Sequence, residues 1–293
     1  MIAFVTSERF AILDAKDRDR LEALAKLDQF EDGQEVSASG APSEWLSLIV
    51  SGGVDLRARA KDGREITLAQ LQPGDIFGEL ETFADLPDGV RHVARGDTIV
   101  RAINKHILKH ELKSHRTLAS GLLAVYCRSI SEKVRAANDV ATKGSTGFSR
   151  PPPPLGSRPP HLAAEEVVWL SVLGQAIEAA SGETVVREGE TSRSFYVVAK
   201  GELEVRKRAP AGDERMLAML GPHDMFGIMA FVDGKPRSAS VIAKSPVVEL
   251  SRVEADVLEK AAQLNFTVSF KFLGTLCSVL GRTYRDTVNS IAG

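Results

Sequence analysis

His106 and His110 stand four residues apart on a predicted helix, a spacing at which two imidazoles can share one metal ion. His110-Glu111 is followed by His115, one residue too late for the zinc-protease pattern, so a solvated helix face is the expected reading. Cys127 and Cys277 each sit in an apolar helical pattern and form no metal or redox motif, and no metal is expected. With neither a nucleophile elbow nor a paired-carboxylate motif to be read, the protein is expected not to be an enzyme. What remains with chemical content is a pair of short segments, Phe77-Gly78-Glu79-Leu80 and Phe226-Gly227-Ile228-Met229. The second is followed by Arg237-Ser238-Ala239-Ser240-Val241. A glycine in such a place lets the backbone approach a ligand closely, and an arginine suits an anion.

Both segments belong to a repeat. Setting residue n beside residue n+149 aligns the halves without a gap from Gly33/Gly182 to Ala94/Ala243, and 19 of those 62 positions are identical. Unrelated sequences of ordinary composition would share about four. The identities fall at turns and in apolar runs, among them Gly33/Gly182, Gly52/Gly201, Pro73/Pro222, Asp75/Asp224, Phe77/Phe226 and Gly78/Gly227. A period this long means two domains rather than a stacked solenoid.

The elements that must position the segments are short strands between turns. Trp45-Leu46-Ser47-Leu48-Ile49-Val50, the turn Ser51-Gly52-Gly53 and Val54-Asp55-Leu56-Arg57 have counterparts in Phe195-Tyr196-Val197-Val198-Ala199, Lys200-Gly201-Glu202 and Leu203-Glu204-Val205-Arg206. Such strands with regular turn signals predict an α+β, mainly β chain. The architecture is two tandem antiparallel β-sandwich or jelly-roll barrels. Helices are predicted before each copy, over Asp17–Leu27 (Leu21, Leu24, Leu27) and Ala164–Ala180 (Val168, Val172, Ile177). A long C-terminal helix follows each, roughly 118–137 and 270–291. Leu123, Cys127, Ile130, Val134 and Ala137 form an apolar stripe on the first. Leu273, Cys277, Leu280, Tyr284, Val288 and Ile291 form one on the second. Residues 1–140 and 162–293 are therefore expected to be the domains, joined over 141–161 by a Pro/Gly/Ser-rich linker.

Apolar residues make up 43% of the chain and charged residues 26%, with a net charge of −2 and a pI near 6.3. This balance lacks the basic footprint of a nucleic-acid binder. No signal peptide and no run of about 18 apolar residues is read, so a cytoplasmic protein without a membrane span is expected.

Gly182-Glu183-Thr184-Val185-Val186-Arg187-Glu188-Gly189-Glu190, Phe195-Tyr196-Val197-Val198 and Gly201-Glu202-Leu203 resemble the opening half of a cyclic-nucleotide-binding domain. The type is that of the catabolite activator and kinase regulatory-subunit families. The two Phe-Gly segments resemble that family's phosphate-binding cassette: Phe-Gly-Glu, a short helix, an arginine among small residues, then a strand. The resemblance implies that the arginine and the amides opening the short helix hold a cyclic phosphate. It further implies that the glutamate accepts the ribose 2′-hydroxyl. The implied binding residues are Phe226, Gly227, Ile228, Met229, Arg237, Ser238 and Ala239 in the second copy, with Gly78 and Glu79 in the first. The implied ligand is cyclic AMP or cyclic GMP.

The copies depart from the pattern in opposite ways. The first keeps Gly78-Glu79 but places Asp88 where the arginine belongs; the second keeps Arg237 but has Ile228 for the glutamate. Losing a hydrogen bond to a charged group costs roughly 1.5–3 kcal/mol. Placing an anion against an anionic ligand costs several. The second copy is therefore the better candidate, while Arg91, three residues beyond Asp88, is a cation whose direction the sequence leaves open. The expected function is sensing a small anionic ligand and signalling to an unidentified protein partner through the long helices. A homodimer or an intramolecular pseudo-dimer would bring those helices together, and no helix-turn-helix is read after either. The alternative is a pair of degenerate, ligand-free copies serving as a dimerisation or protein-interaction scaffold.

Overall fold

A computed structural model describes residues 2–37, 43–60, 62–84, 89–143, 161–210, 212–257, 260 and 266–292. The chain divides into two compact units, Met1–Ala137 with Thr283–Gly293, and Asn138–Arg282. The predicted linker lies largely outside the described residues. Among the described residues, no helix is long and apolar enough to cross a membrane.

In the first unit, helix α1 (Ala15–Leu24) begins where the Asp14 carboxylate accepts a bond from the Asp17 amide at 2.7 Å. It stops short of the predicted end, since Leu27 belongs to strand β1 (Lys26–Phe30) and is 49% exposed. After β2 (Glu35–Ser37) come two long strands, β3 (Trp45–Arg59) and β6 (Arg91–Asn104), paired antiparallel along most of their length. The expected turn at Ser51-Gly52-Gly53 is instead a register irregularity inside β3. With β4 (Glu65–Leu71) and β5 (Ile76–Phe77) the strands form one six-stranded sheet with the path β1-β6-β3-β4. Leu46, Leu48, Ile49, Val54, Leu56, Phe77 and Val100 are buried in its core. Burying each such side chain is worth about 1.5–3 kcal/mol.

The second unit opens with α5 (Ala164–Leu173), which ends at Gly174; Gln175–Ala180 is strand β7 rather than more helix. Val168 and Val172, which carry the helical spacing, are 66% and 80% exposed, whereas Leu170 is fully buried. Two four-stranded sheets follow. One runs β11 (Glu214–Leu220), β10 (Leu203–Arg208), β13 (Ser240–Ala243), β8 (Thr184–Val186). The other runs β12 (Met225–Phe226), β9 (Phe195–Lys200), β14 (Val247–Val253), β7. The unit matches the antiparallel expectation. Among the described residues, however, the sheets of neither unit close into a barrel. The copies differ because Pro246 stands where the 149-residue shift places Asp97 in the middle of β6. A proline has no amide to give to the ladder, so the strand breaks there into β13 and β14.

One support recurs in both units. Asp55, with its side chain 7% exposed, pairs with Arg57 at 3.0 Å and Arg95 at 3.1 Å. Its counterpart Glu204, also 7% exposed, pairs with Arg206 at 2.7 Å and Lys244 at 3.6 Å. The long helices are α4 (Arg116–Lys143) and α7 (Phe266–Ala292), each longer than its sequence signal. Both predicted stripes are buried apart from Leu273, which is partly covered. The short helices α2 (Glu79–Ala84) and α3 (Lys105–Ser114) precede α4 in sequence, and α6 (Ile228–Asp233) lies between α4 and α7.

Candidate functional site

In the second unit the site is assembled from three pieces of backbone. Strand β12 delivers Phe226, whose ring stacks on Tyr196 of β9 at 4.8 Å. Gly227 then turns the chain into α6 with φ +81°, and a Cβ here would stand 2.6 Å from Arg237 Nη1. The position thus requires glycine both for its conformation and for the room it leaves the arginine. Gly234, also left-handed, ends α6 and releases the segment carrying Arg237. That segment is clipped to the Gly189-Glu190 turn by two backbone bonds of 2.9 Å, Arg237 N to Glu190 O and Gly189 N to Arg237 O.

Arg237 is buried, at 4% exposure. Its Nη1 donates to the Gly227 carbonyl at 2.9 Å, and Nη2 donates to Ser194 Oγ at 3.0 Å and Ser192 Oγ at 3.1 Å. Nε is buried with no partner. Among the described residues no carboxylate lies within ion-pair distance of the guanidinium. Burial, above all, pushes its pKa below the ordinary arginine value, against the longer-range pull of Tyr196 and Glu190. Ile228 and Ala239 are also buried, while Met229 and Ser238 are half-buried. Ser238 turns its carbonyl to Lys207 at 3.1 Å. A cation held only by neutral groups in a site this dry is an arrangement suited to receiving an anion.

The first unit repeats the backbone and reverses the chemistry. Gly78 has φ +85°, and a Cβ there would run into the Trp45 carbonyl. Glu79 opens α2 and is 1% exposed, but its carboxylate is already occupied. Oε1 accepts from Lys133 Nζ at 2.5 Å and from Ser129 Oγ at 2.9 Å, both on α4, and Oε2 has no partner. Asp88 lies outside the described residues. Arg91 does not supply the missing cation to the interior. It sits on the outer face, 37% exposed in its side chain, and pairs with Glu65 and with Glu35 at 2.6 Å. His92, fully buried, stacks on Phe77 at 5.0 Å and meets Ser37 Oγ at 2.7 Å. Burial, reinforced by the nearby Lys133, lowers its pKa to about 3. A recess of about 190 Å³ lined by Arg9, Asp75, Ser129, Glu132 and Lys133 also belongs to this unit. Its charges are paired, Arg9 with Asp75 at 2.5 Å and with Glu132 at 3.0 Å.

Of the histidine pair on α3, His106 Nε2 faces Glu44 at 3.2 Å. His115 at the end of the helix meets Glu111 at 3.1 Å. Sequence reasoning missed Ser192, Ser194, Ser129 and Lys133. One signal was available: the shift pairs Trp45 with Ser194 and Asp88 with Arg237, so the copy that has the arginine also has the small hydroxyl residue.

The family model described as "Cyclic nucleotide-binding domain" matches residues 27–115 and 176–265, together more than half of the chain. The chain is 21% identical over 257 residues to a "cAMP-dependent protein kinase regulatory subunit" of Blastocladiella emersonii, covering 87% of this chain and 54% of that protein. It is 32% identical over 118 residues to a "CRP-like cAMP-activated global transcriptional regulator" of Mycobacterium tuberculosis, covering 40% of this chain and 50% of that protein. The chain thus spans about half the length of these curated relatives. Among solved structures, the regulatory domain of Toxoplasma gondii PKA with cAMP is 18% identical. That match covers 89% of this chain and 88% of the other, with a TM-score of 0.32.

Proposed function

The chain belongs to the cyclic nucleotide-binding domain family, and we propose that it is a non-enzymatic regulatory protein whose second copy senses a cyclic nucleotide through Arg237. One observation carries the reading: a buried guanidinium with three neutral hydrogen-bond acceptors, an unpartnered Nε and no counter-charge among the described residues. A buried cation left without an anion is destabilising, and a ligand phosphate would supply what is missing. The cAMP-dependent and cAMP-activated relatives make cyclic AMP the first ligand to test, with cyclic GMP beside it. Ile228 offers no acceptor where the family places its glutamate, so affinity is set below that of a complete cassette by about one to two decades.

The first copy is proposed to be closed to the same ligand. Its carboxylate is occupied by Lys133, and Arg91 is spent on the outer face. This favours the scaffold reading for that copy alone. Output is proposed to pass to a protein partner through α4 and α7. Both cysteines are buried thiols rather than a disulfide, which supports a cytoplasmic setting.

Calorimetric titration of the full chain with cyclic AMP and cyclic GMP tests the reading. The expected result is saturable binding that weakens by roughly tenfold or more in Arg237→Ala. Binding unchanged in that variant, or no binding up to millimolar nucleotide, would remove it.

A further inference from the structure

We infer that Ser192 and Ser194 are the positioning residues of the second unit's anion site: their neutral hydroxyls hold the Arg237 guanidinium and leave its charge for a phosphate-type oxyanion. The inference rests on reading Arg237 as a ligand-binding residue and deepens that reading.

The hydrogen bonds make the case. A guanidinium has five N–H donors and no acceptor. Both Nη2 bonds go to the serine hydroxyls, at 3.0 and 3.1 Å, and Nη1 donates to the Gly227 carbonyl at 2.9 Å. The two hydroxyls also meet each other at 3.0 Å, so they form one clamp rather than two separate contacts. Ser194 is fully buried. Each hydroxyl that accepts from Nη2 keeps a proton of its own. One proton serves the contact between the serines, which leaves the other for a ligand oxygen alongside the buried, unpartnered Nε.

The rest of the chain shows the alternative. Lys133 is matched by Glu79, Arg9 by Asp75 and Glu132, and Arg95 by Asp55. Carboxylates are thus this chain's usual means of fixing a covered cation, and at Arg237 two hydroxyls take that place. The repeat points the same way. Ser43 matches Ser192, but Trp45 stands in place of Ser194 in the copy that carries Asp88 instead of the arginine. The hydroxyl pair therefore occurs with the arginine and not without it. A phosphate, whether free or part of a nucleotide, has the charge and the several acceptor oxygens that the clamp and the guanidinium call for.

The test is the thermal midpoint of the full chain against inorganic phosphate at constant ionic strength, with cyclic AMP calorimetry on the same samples. Phosphate is expected to raise the midpoint saturably in the native chain and not in Arg237→Ala. Ser192→Asp changes a half-exposed position and gives the guanidinium its own counter-charge. It is expected to raise the midpoint without phosphate and to weaken the phosphate response roughly tenfold or more. A serine with a merely structural role would lower the midpoint and leave the phosphate response alone. If Ser192→Asp fails to fold, Ser192→Ala should weaken the response while Ser192→Thr keeps it. No phosphate response in the native chain, an equal one in Arg237→Ala, or an undiminished one in Ser192→Asp or Ser192→Ala would overturn the inference. A phosphate response without cyclic AMP binding would support the clamp and refute the cyclic-nucleotide reading. Equal cyclic AMP affinity in Ser192→Asp and the native chain would do the opposite.

Discussion

Glu79 and Arg237, at different positions of the repeated segment, carry opposite charges under opposite conditions, one paired and one not. The Glu79–Lys133 pair is the more consequential for stability, because both side chains are almost fully covered, at 1% and 4% exposure. Removing one partner of a buried pair typically costs about 3–5 kcal/mol, whereas replacing both with apolar groups is often neutral. Lys133→Met should therefore lower stability by about that amount in urea unfolding, and Glu79→Met/Lys133→Met should recover most of the loss. His92 sets a pH dependence of its own. Its folded pKa is about 3, against about 6.5 in an unfolded chain. Between those values the unfolded state holds the extra proton. The stability His92 contributes is therefore complete above about pH 6.5 and is lost as pH falls toward 3, with a slope of up to about 1.4 kcal/mol per pH unit. Urea midpoints of His92→Gln should show a shallower fall over this range than those of the native chain.

Elements carry the clearest lesson about what was legible. The repeat, the antiparallel strands and both long helices could be read because glycine turns and helical stripes are local signals. Leu27 was misplaced, and Val168 and Val172 are exposed, because helical spacing alone does not say where a helix ends or which face is covered. Gly174 ends α5, and the stripe's true core residue there is Leu170. Leu170→Ala should cost about 2–5 kcal/mol, while Val168→Lys and Val172→Lys should each stay within about 0.5 kcal/mol of the native chain in chemical denaturation. The split of one long strand into β13 and β14 was legible in principle from Pro246, since a missing amide interrupts a ladder wherever it falls. Lys133 was not, and the serine clamp was marked only by its falling in the copy that has the arginine. Both depend on which side chains meet across more than forty residues of chain, and neither is marked by a spacing rule.

Taken as a whole, the molecule has repeated its architecture and not its chemistry. Asp55 and Glu204 organise cations at equivalent positions in both units, and the site glycines turn with nearly the same angle. The contents of the two sites have nonetheless become complementary halves: a carboxylate paired with its own lysine, and a buried arginine with no carboxylate in ion-pair reach among the described residues. On the proposed function, one responsive site per chain follows from that asymmetry. Hydrogen–deuterium exchange of the full chain with and without saturating cyclic AMP tests it most directly. Slowed exchange is expected across Phe226–Val241 and in the Ser192–Ser194 segment, with Phe77–His92 unchanged. Equal protection of both segments, or protection of Phe77–His92 alone, would contradict it.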